Sequence, residues 1–425
     1  MKFGDLRGIL QYVPQFRGAT FVIAVDGPTV ALENFSNILL DIAVLHSLSV
    51  KIVLVHGASH QINALARERE VAISSSDGIG ITDPLTLALA EEAINNLNGH
   101  LLQQLTGAGL RGGTGTFLDA HPAGIIRGRD LEFTGTIEKV DIRGLSALLD
   151  ADMVPVVSPL GYDGQGGVLR LNSDAVALQV AIALKALKIL FITSGGLKDD
   201  GGERIPALSV EEAKGKAAQL SPERDAAAIS SLLNAARACE SGVSRVHIIN
   251  GAVNEVLLEE LFSNEGVGTM VYSDDYQKIR PAKLSDIPAL MSMIRQSVAD
   301  EELIPRSPKE IRTNLPDYFV METDGNPVGC VAVHFYPEQR LAELACLFIS
   351  NSHEGAGYGR KLVTFAERKA REKGADNLIA LSTQAWRYFE QKSGFTDAPK
   401  TILPPERLKK HESGGRNSRI MVKAL

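Results

Sequence analysis

Cysteine is scarce. The chain's three cysteines, Cys239, Cys330 and Cys346, are spaced too widely for a disulfide framework or a zinc-binding pattern. No run of five or six basic residues occurs and the formal net charge is −7, which argues against a general nucleic-acid binder. No stretch approaches the roughly 18 uninterrupted apolar residues that a membrane-spanning helix requires. The opening MKFGDLRGILQYVPQFRG is charged along its length and lacks the apolar core of a secretory signal. Internal repeats and low-complexity segments are missing too. The expectation is a cytoplasmic protein with no bound metal and no nucleic-acid or membrane partner.

What remains is an ordinary globular composition, 44% hydrophobic and 22% charged, in a chain of 425 residues, too long for one core. Two halves differ in pattern. From Thr20 to about Val271, Val- and Ile-rich runs bounded by Gly, Ser or Asp alternate with helical stretches. The runs are FVIAV (21–25), KIVLVHG (51–57), MVPVVSPLG (153–161), KILFIT (188–193) and RVHIING (245–251). Such runs read as strands buried on both faces, in a mostly parallel sheet with helices on either side. Helices are expected over 173–187 behind a Ser173 cap and over 82–105 behind Thr82. A polar SDDY at 273–276 sets a boundary near Tyr276, giving domains 1–276 and 277–425. Beyond it, YFVMETDG and PVGCVAVHFYP read as an antiparallel hairpin, followed by the strand LAELACLFIS, the glycine-rich EGAGYG and the helix RKLVTFAERKAREKG.

Glycines directly after a strand and directly before a helix let a phosphate approach backbone N–H groups and the positive end of the helix. With the helix–hairpin–strand–turn–helix order, this segment resembles the GNAT acetyltransferases, whose acetyl-CoA loop reads Gln/Arg-x-x-Gly-x-Gly/Ala. Gly357, Tyr358 and Gly359 fill its last three positions, and Glu354 stands where Gln or Arg is usual. The resemblance implies a mixed, largely antiparallel α/β domain that binds acetyl-CoA. Its contacts would come from Cys346, Leu347 and Phe348 on the strand, from Gly355, Gly357 and Gly359, and from Arg360, which faces either the phosphates or solvent.

The first half resembles the amino-acid kinase fold, a three-layer αβα domain, and acetylglutamate kinase in particular. The resemblance rests on VLVHGASHQI (53–62), GITDPLTL, LNSD (171–174) and HIINGAVNEVLLEELFSNEGVGT (247–269). A kinase-like half fused to a GNAT half, ending in GRNSRIMV, resembles the bacterial N-acetylglutamate synthases, which acetylate glutamate in the first step of arginine biosynthesis. The kinase-like half departs from a working kinase. Ala24 stands where the first-strand lysine is expected, Gly80 replaces an arginine and Ser194 an aspartate. Phosphoryl transfer depends on such cations, so no kinase activity is expected. Arginine-sensitive relatives imply an inhibitor site at Tyr12, Phe16, His247, Glu260, Gly266 and Thr269, although His247 at the end of an apolar strand also reads as a plain core histidine. The resemblance further implies a homo-oligomer, commonly a hexamer.

Transfer of acetyl from a thioester to an α-amino group needs a deprotonated amine, donors for the oxyanion and help for the departing thiolate. By resemblance, Glu343 in LAELACL is the base, acting directly or through a water. Backbone N–H groups near Cys346 and Leu347 meet the oxyanion. Ser382 offers a hydrogen bond to the sulfur, with Tyr388 as the alternative. Arg306, Cys346, Arg416 and Ser418 match the family's substrate positions, where an arginine fork suits a carboxylate. No residue suggests a covalent intermediate, so direct attack in a ternary complex is expected. A bifunctional synthase/kinase and an arginine-sensing protein with an inactive GNAT half are the competing readings.

Overall fold

The computed structural model describes residues 13–74, 80–126, 128–199, 201–222, 224–263, 266–273, 277–299, 306–323, 326–350, 358–383, 385–413 and 418–425. The chain divides into two compact units, residues 1–274 and 275–425.

The first unit is built on an eight-stranded sheet. Its strands are β1 (Thr20–Val25), β2 (Lys51–His56), β3 (Gly112–Gly113), β4 (Val154–Val157), β5 (Lys188–Thr193), β6 (Ala207–Ser209), β7 (Arg245–Asn250) and β8 (Thr269–Tyr272). They lie in the order β6-β8-β7-β5-β1-β2-β4-β3. Every pair is parallel except β7 with β8. The continuous apolar runs follow from burial on both faces, since Phe21 to Val25 are each at most 5% exposed. Val22, Ala24, Val53 and Val55 pack on one side with Val176 and Leu232. Phe21, Ile23, Ile52 and Leu54 pack on the other with Ile38, Ile42, Ile94 and Leu101. The helices concerned are α1 (Phe35–Ser47), α2 (Ser59–Glu68), α3 (Pro84–Gly107), α4 (Ser173–Leu184) and α5 (Ala226–Glu240). Three layers, αβα, result.

Two helices start one residue away from the anticipated caps. Asn172 rather than Ser173 caps α4, accepting from Ala175 N–H. Asp83 rather than Thr82 caps α3, accepting from Thr86 N–H; Thr82 instead shares a 2.7 Å hydrogen bond with Thr134. The run MVPVVSPLG, expected as one strand, is two. Leu160–Tyr162 leaves the main sheet for a separate four-stranded sheet with Leu118–Pro122, Gly135–Val140 and Val168–Arg170.

The second unit has a seven-stranded sheet. Its strands are β9 (Gln277–Pro281), β10 (Tyr318–Thr323), β11 (Asn326–Tyr336), β12 (Leu341–Ile349), β13 (Asn377–Ser382), β14 (Thr396–Asp397) and β15 (Arg419–Ala424), in the order β9-β10-β11-β12-β13-β15-β14. All neighbours are antiparallel except β12 with β13. Helix α7 (Ile287–Ala299) packs on one face through Leu290 and Ile294, and α8 (Tyr358–Glu372) on the other through Leu362 and Ala366. The β10–β11 hairpin and the helix after the glycine turn fall where the sequence places them. Two short helices complete the unit, α9 (Trp386–Ser393) and α10 (Pro405–Ser413); the connection between β7 and β8 in the first unit carries α6 (Val256–Phe262).

Candidate functional site

In the second unit, β12 is irregular at the point where the chemistry is expected. Ala332 of β11 faces Ala345 and Cys330 faces Phe348, so Cys346 and Leu347 together oppose the single Val331. This is a β-bulge, and Cys346 takes up its extra residue at φ +50. The packing agrees. Ala342 and Leu344 join the α8-side core, and so do Leu347 and Ile349, a change of parity that needs one inserted residue. Beyond Leu344, β12 also loses its pairing with β13, which stays paired with β15 on its other edge as far as Ser382. An opening between the strands results, with the bulge on one lip and Ser382 on the other.

Glu343 lies just before the opening and is only 4% exposed. Arg407 of α10 grips it: Nε donates to Oε1 at 3.0 Å and to Oε2 at 2.8 Å, and Nη2 donates to Oε1 at 2.8 Å. Tyr336 donates its hydroxyl to Oε2 at 2.9 Å. Burial pushes this carboxyl upward, but Arg407 and Tyr336 outweigh it and hold Glu343 below the ordinary carboxylate range. Arg306 Nη1 donates to Tyr318 Oη at 2.8 Å, and that hydroxyl lies 3.8 Å from Cys346 Sγ. Burial pushes the Cys346 thiol up, so it is a neutral thiol at neutral pH and not a nucleophile. Glu343 acts electrostatically on both Arg306 and Cys346, so the three stand near one another at the bulge.

Ser382 ends β13, 9% exposed, and its Oγ accepts from Ala385 N–H at 2.9 Å, which leaves the hydroxyl proton to be donated elsewhere. Leu378 and Ala380 point to the α8 side while Leu341 and Ile379 point to the other. By alternation Ser382 shares the α8 side, and Glu343, in register with Ile379, the opposite one. Tyr388 of α9 directs its hydroxyl at the first turn of α8: a Cβ added to Gly359 would come within 3.0 Å of it. Leu347 is half-buried, Phe348 buried, Arg360 exposed and Ser418 half-buried at the start of β15. Gly355, Gly357 and Arg416 lie outside the described residues, as does Tyr12.

In the first unit, the residues matched to an effector site converge. Phe16 packs against Phe21 and Phe262, with centroids 5.2 and 5.8 Å away. His247 Nδ1 meets Glu260 Oε1 at 2.5 Å, and its Nε2 meets Lys188 Nζ at 3.1 Å. Glu260 Oε2 accepts from the N–H groups of Val267 (2.7 Å) and Gly268 (2.6 Å). Gly266, at φ +60, must be glycine twice over, since a Cβ there would also lie 2.7 Å from Glu260 Oε2. Thr269 donates its hydroxyl to Ile205 C=O. Burial and then the Lys188 charge push His247 down to about 4, so it is neutral, with Nδ1–H facing the carboxylate. Glu260 is raised by burial, yet the His247 hydrogen bond and the two backbone donors leave it below its ordinary value.

The opposite ends of these strands hold the position of a kinase site. Ala24 is buried within an apolar cluster. A cavity beside it is lined by Asp26, Gly57, Asn172, Asp174 and Ser230 and contains no lysine among its described walls. Burial raises Asp174 to about 6, with Asp26 adding to the effect. Ser194 donates its N–H to Asp26 at 3.2 Å.

Sequence reasoning missed three partners. Lys188 begins an apolar strand and gave a faint signal, a charge at a buried register position. Tyr336 and Arg407 gave none; Arg407 sits in PERLKK among other cations that are surface residues. Among the described residues, no group of His, Cys, Asp or Glu could hold a metal ion, and no helix is long and apolar enough to cross a membrane.

Comparison with known proteins agrees with both halves. The sequence model of the Amino acid kinase family matches residues 19–250, and that of the Acetyltransferase (GNAT) family matches residues 287–395. An amino-acid acetyltransferase from Pasteurella multocida is 32% identical over 97% of this chain and 96% of its own length. One from Neisseria meningitidis serogroup A is 33% identical with the same coverage, 97% and 96%. Among solved structures, N-acetylglutamate synthase from Neisseria gonorrhoeae complexed with coenzyme A and L-arginine superposes with a TM-score of 0.80 at 31% identity, covering 100% of each chain. The same enzyme complexed with coenzyme A and N-acetyl-glutamate gives a TM-score of 0.64 at 32% identity, again over 100% of each chain.

Proposed function

The chain belongs to the amino-acid acetyltransferases, and from that membership we propose that it is an N-acetylglutamate synthase: it moves the acetyl group of acetyl-CoA to the α-amino group of L-glutamate and is inhibited by L-arginine. The observation that carries the reading is the grouping of Glu343, Arg306 and Cys346 at a bulge beside parting strands. Parting strands leave room for a pantetheine arm, and the bulge at Cys346 and Leu347 turns backbone away from the ladder, where N–H groups can meet a developing oxyanion.

Glu343 takes the proton from the ammonium, directly or through a water. The amine then attacks the thioester carbon, and the Ser382 hydroxyl donates a hydrogen bond to the leaving sulfur. Ser382 is preferred over Tyr388 because it ends β13 beside the parted strands with its hydroxyl proton left to donate, whereas the Tyr388 hydroxyl lies against Gly359 at the start of α8. Arg306, Arg416 and Ser418 hold substrate carboxylates. Gly355, Gly357, Gly359 and Arg360 receive the coenzyme A phosphates at the start of α8, alongside the backbone of Leu347 and Phe348.

Arginine binds in the first unit at Phe16, His247, Glu260, Gly266 and Thr269, with Tyr12 from the preceding segment and Lys188 beside them. Glu260 is ionised at neutral pH and is the natural partner of a guanidinium. We place no kinase activity in this half, since Ala24 offers no charge to a transferring phosphoryl group. A homo-oligomer, a hexamer by family resemblance, is part of the proposal and is read directly by light scattering.

The test is coenzyme A release from acetyl-CoA and glutamate, with and without arginine, for the full chain and for Glu343→Ala. Glutamate-dependent release, suppressed by arginine and lowered about a hundredfold or more in the variant, is expected. Release that does not depend on glutamate would refute the assignment.

A further inference from the structure

The grip of Arg407 on Glu343 conflicts with the work of a base. A carboxylate offers about four lone-pair positions. Here the one N–H of Arg407 Nε is shared between Oε1 and Oε2, Nη2 donates to Oε1, and the Tyr336 hydroxyl donates to Oε2. Three protons thus lie against a carboxylate that is only 4% exposed, one of them straddling both oxygens. An ammonium or a water that approaches either oxygen must compete with Arg407 for it.

Tyr336 ends β11, a central strand of the sheet, whereas Arg407 stands on α10, a helix of 9 residues outside the sheet. The other charged or titratable groups facing Glu343 are Arg306, Cys346 and His334, the last in register with it on β11. His334 is committed to Asp317 at 2.9 Å and Arg306 to Tyr318. Arg407 is thus the donor whose removal frees both oxygens.

The closed pair also mirrors the substrate. An α-amino acid carries a cation and an anion two bonds apart. When its ammonium approaches Glu343, its α-carboxylate arrives within reach of the guanidinium that occupies that carboxylate. One internal ion pair is then exchanged for two pairs with the substrate, with no change in net charge and no buried charge left alone.

We infer that the Arg407–Glu343 pair is a zwitterion-operated latch: it stays closed until an α-carboxylate draws Arg407 away and frees Glu343 for the adjacent ammonium. The latch rests on the proposed reaction. It assigns the α-carboxylate to Arg407 and leaves the side-chain carboxylate to the substrate residues already named, Arg306 among them. It also keeps the base occupied against amines that lack an α-carboxylate.

The experiment compares L-glutamate with its α-amide, isoglutamine, which keeps the ammonium and the side-chain carboxylate. Full-length wild type, Arg407→Met and Arg407→Lys are assayed for kcat/KM on both, with product detected by mass spectrometry and folding checked by thermal melting. Wild type should favour glutamate by about a thousandfold or more, because buried donors built for an anion reject its neutral analogue. Arg407→Met should lose most of its glutamate activity and little on isoglutamine, narrowing the preference at least about tenfold. Arg407→Lys, which keeps the charge and loses the fork, should fall between. The acid limb of the pH profile on glutamate should move to higher pH in Arg407→Met, since burial then acts on Glu343 with only the Tyr336 hydrogen bond and the charge of His334 opposing it. Equal losses on both substrates overturn the latch. So does a crystal structure of the glutamate complex in which Arg407 still grips Glu343, a measurement that stands even if a variant fails to fold. If wild type shows no glutamate-dependent release at all, the proposed reaction fails first, and that outcome is separate from an active enzyme with an unchanged preference.

Discussion

Replacing His247 by glutamine should flatten one part of the protein's pH dependence. In the folded chain His247 is pushed down to about 4, against 6.5 for an exposed histidine, because burial and then Lys188 oppose its charging. An unfolded chain therefore binds a proton on this group that the folded chain refuses, over the window from about 6.5 down to about 4. Stability from this site is fully present above the upper value and is lost as pH falls through the window. The separation corresponds to roughly 3 kcal/mol. Glu260, with a lowered value, acts in the same direction at more acidic pH. Asp41 and Asp174, raised to about 6 by burial, act oppositely, since they bind protons more readily when folded. The wild-type curve alone is therefore ambiguous, and the difference between variant and wild type isolates the histidine. Calorimetry of the full chain without arginine, at about pH 7.5 and about pH 4.5, is the assay. Fluorescence of Trp386, the only tryptophan, marks the second unit's transition, so the remaining transition belongs to the first. The variant should be less stable at the higher pH, with most of the roughly 3 kcal/mol pH-dependent gap to wild type gone at the lower one. Parallel curves for the two proteins would refute the buried neutral histidine. Lys188, Glu260 and Arg245 are the charges around it and all three are kept, but Glu260 loses the His247 hydrogen bond, so its own titration shifts upward in the variant and is followed separately at more acidic pH.

Three other outcomes follow from the site geometry. Ser382→Ala should lower kcat by about tenfold with little change in KM, and Tyr388→Phe should lower it less, in steady-state assays of coenzyme A release; the reverse order would make Tyr388 the donor to sulfur. Gly359→Ala places a methyl group 3.0 Å from the Tyr388 hydroxyl at the start of α8, and KM for acetyl-CoA should rise about tenfold. Gly266→Ala combines a left-handed backbone with a Cβ 2.7 Å from Glu260 Oε2, so arginine inhibition should be lost in dose–response assays, and thermal melting should show a destabilisation of about 1 to 3 kcal/mol.

The parts of this structure legible in the sequence are those set by burial of continuous runs. FVIAV, KILFIT and RVHIING could only be strands covered on both faces, and β1, β5 and β7 are that. MVPVVSPLG reads the same way, but Pro159 and Gly161 sit where the chain leaves one sheet for another, and burial is as complete after the turn as before it. Cys346 shows the limit from the other side. Alternation along LAELACLFI predicts one residue per pleat, and a bulge adds one that only the packing of Leu347 and Ile349 on the same side as Ala342 and Leu344 reveals. Glu343 was visible as a carboxylate in an apolar strand, which is costly unless paired. Its partner was not, because an arginine 64 residues away carries no local mark of its destination.

Why a kinase-like half persists without its lysine follows from where things lie along the strands. Ala24, Gly57, Asn172 and Ser194 gather beyond or near the C-terminal ends of β1, β2 and β5, the customary ligand crevice of a parallel sheet. Lys188 opens β5, His247 lies early in β7, and Phe16 precedes β1, so the proposed effector cluster occupies the other end of the same strands. A strand of six residues spans roughly 20 Å, several times the reach of any contact made at either end. Exchanging a lysine for alanine at the crevice therefore removes a charge that phosphoryl transfer needs while leaving the hydrogen bonds of Glu260 and His247 untouched. The core between them is shared, with Ile23, Leu190 and Ile249 in one cluster, so selection on the proposed arginine site alone would keep the whole sheet packed. The proposed division of labour then carries a direct consequence. Restoring lysine at position 24 puts a cation beside Asp26 and Asp174 and should lower the raised value of Asp174, yet leave the arginine dose–response unchanged; a shifted response would mean that the two ends of the strands are coupled.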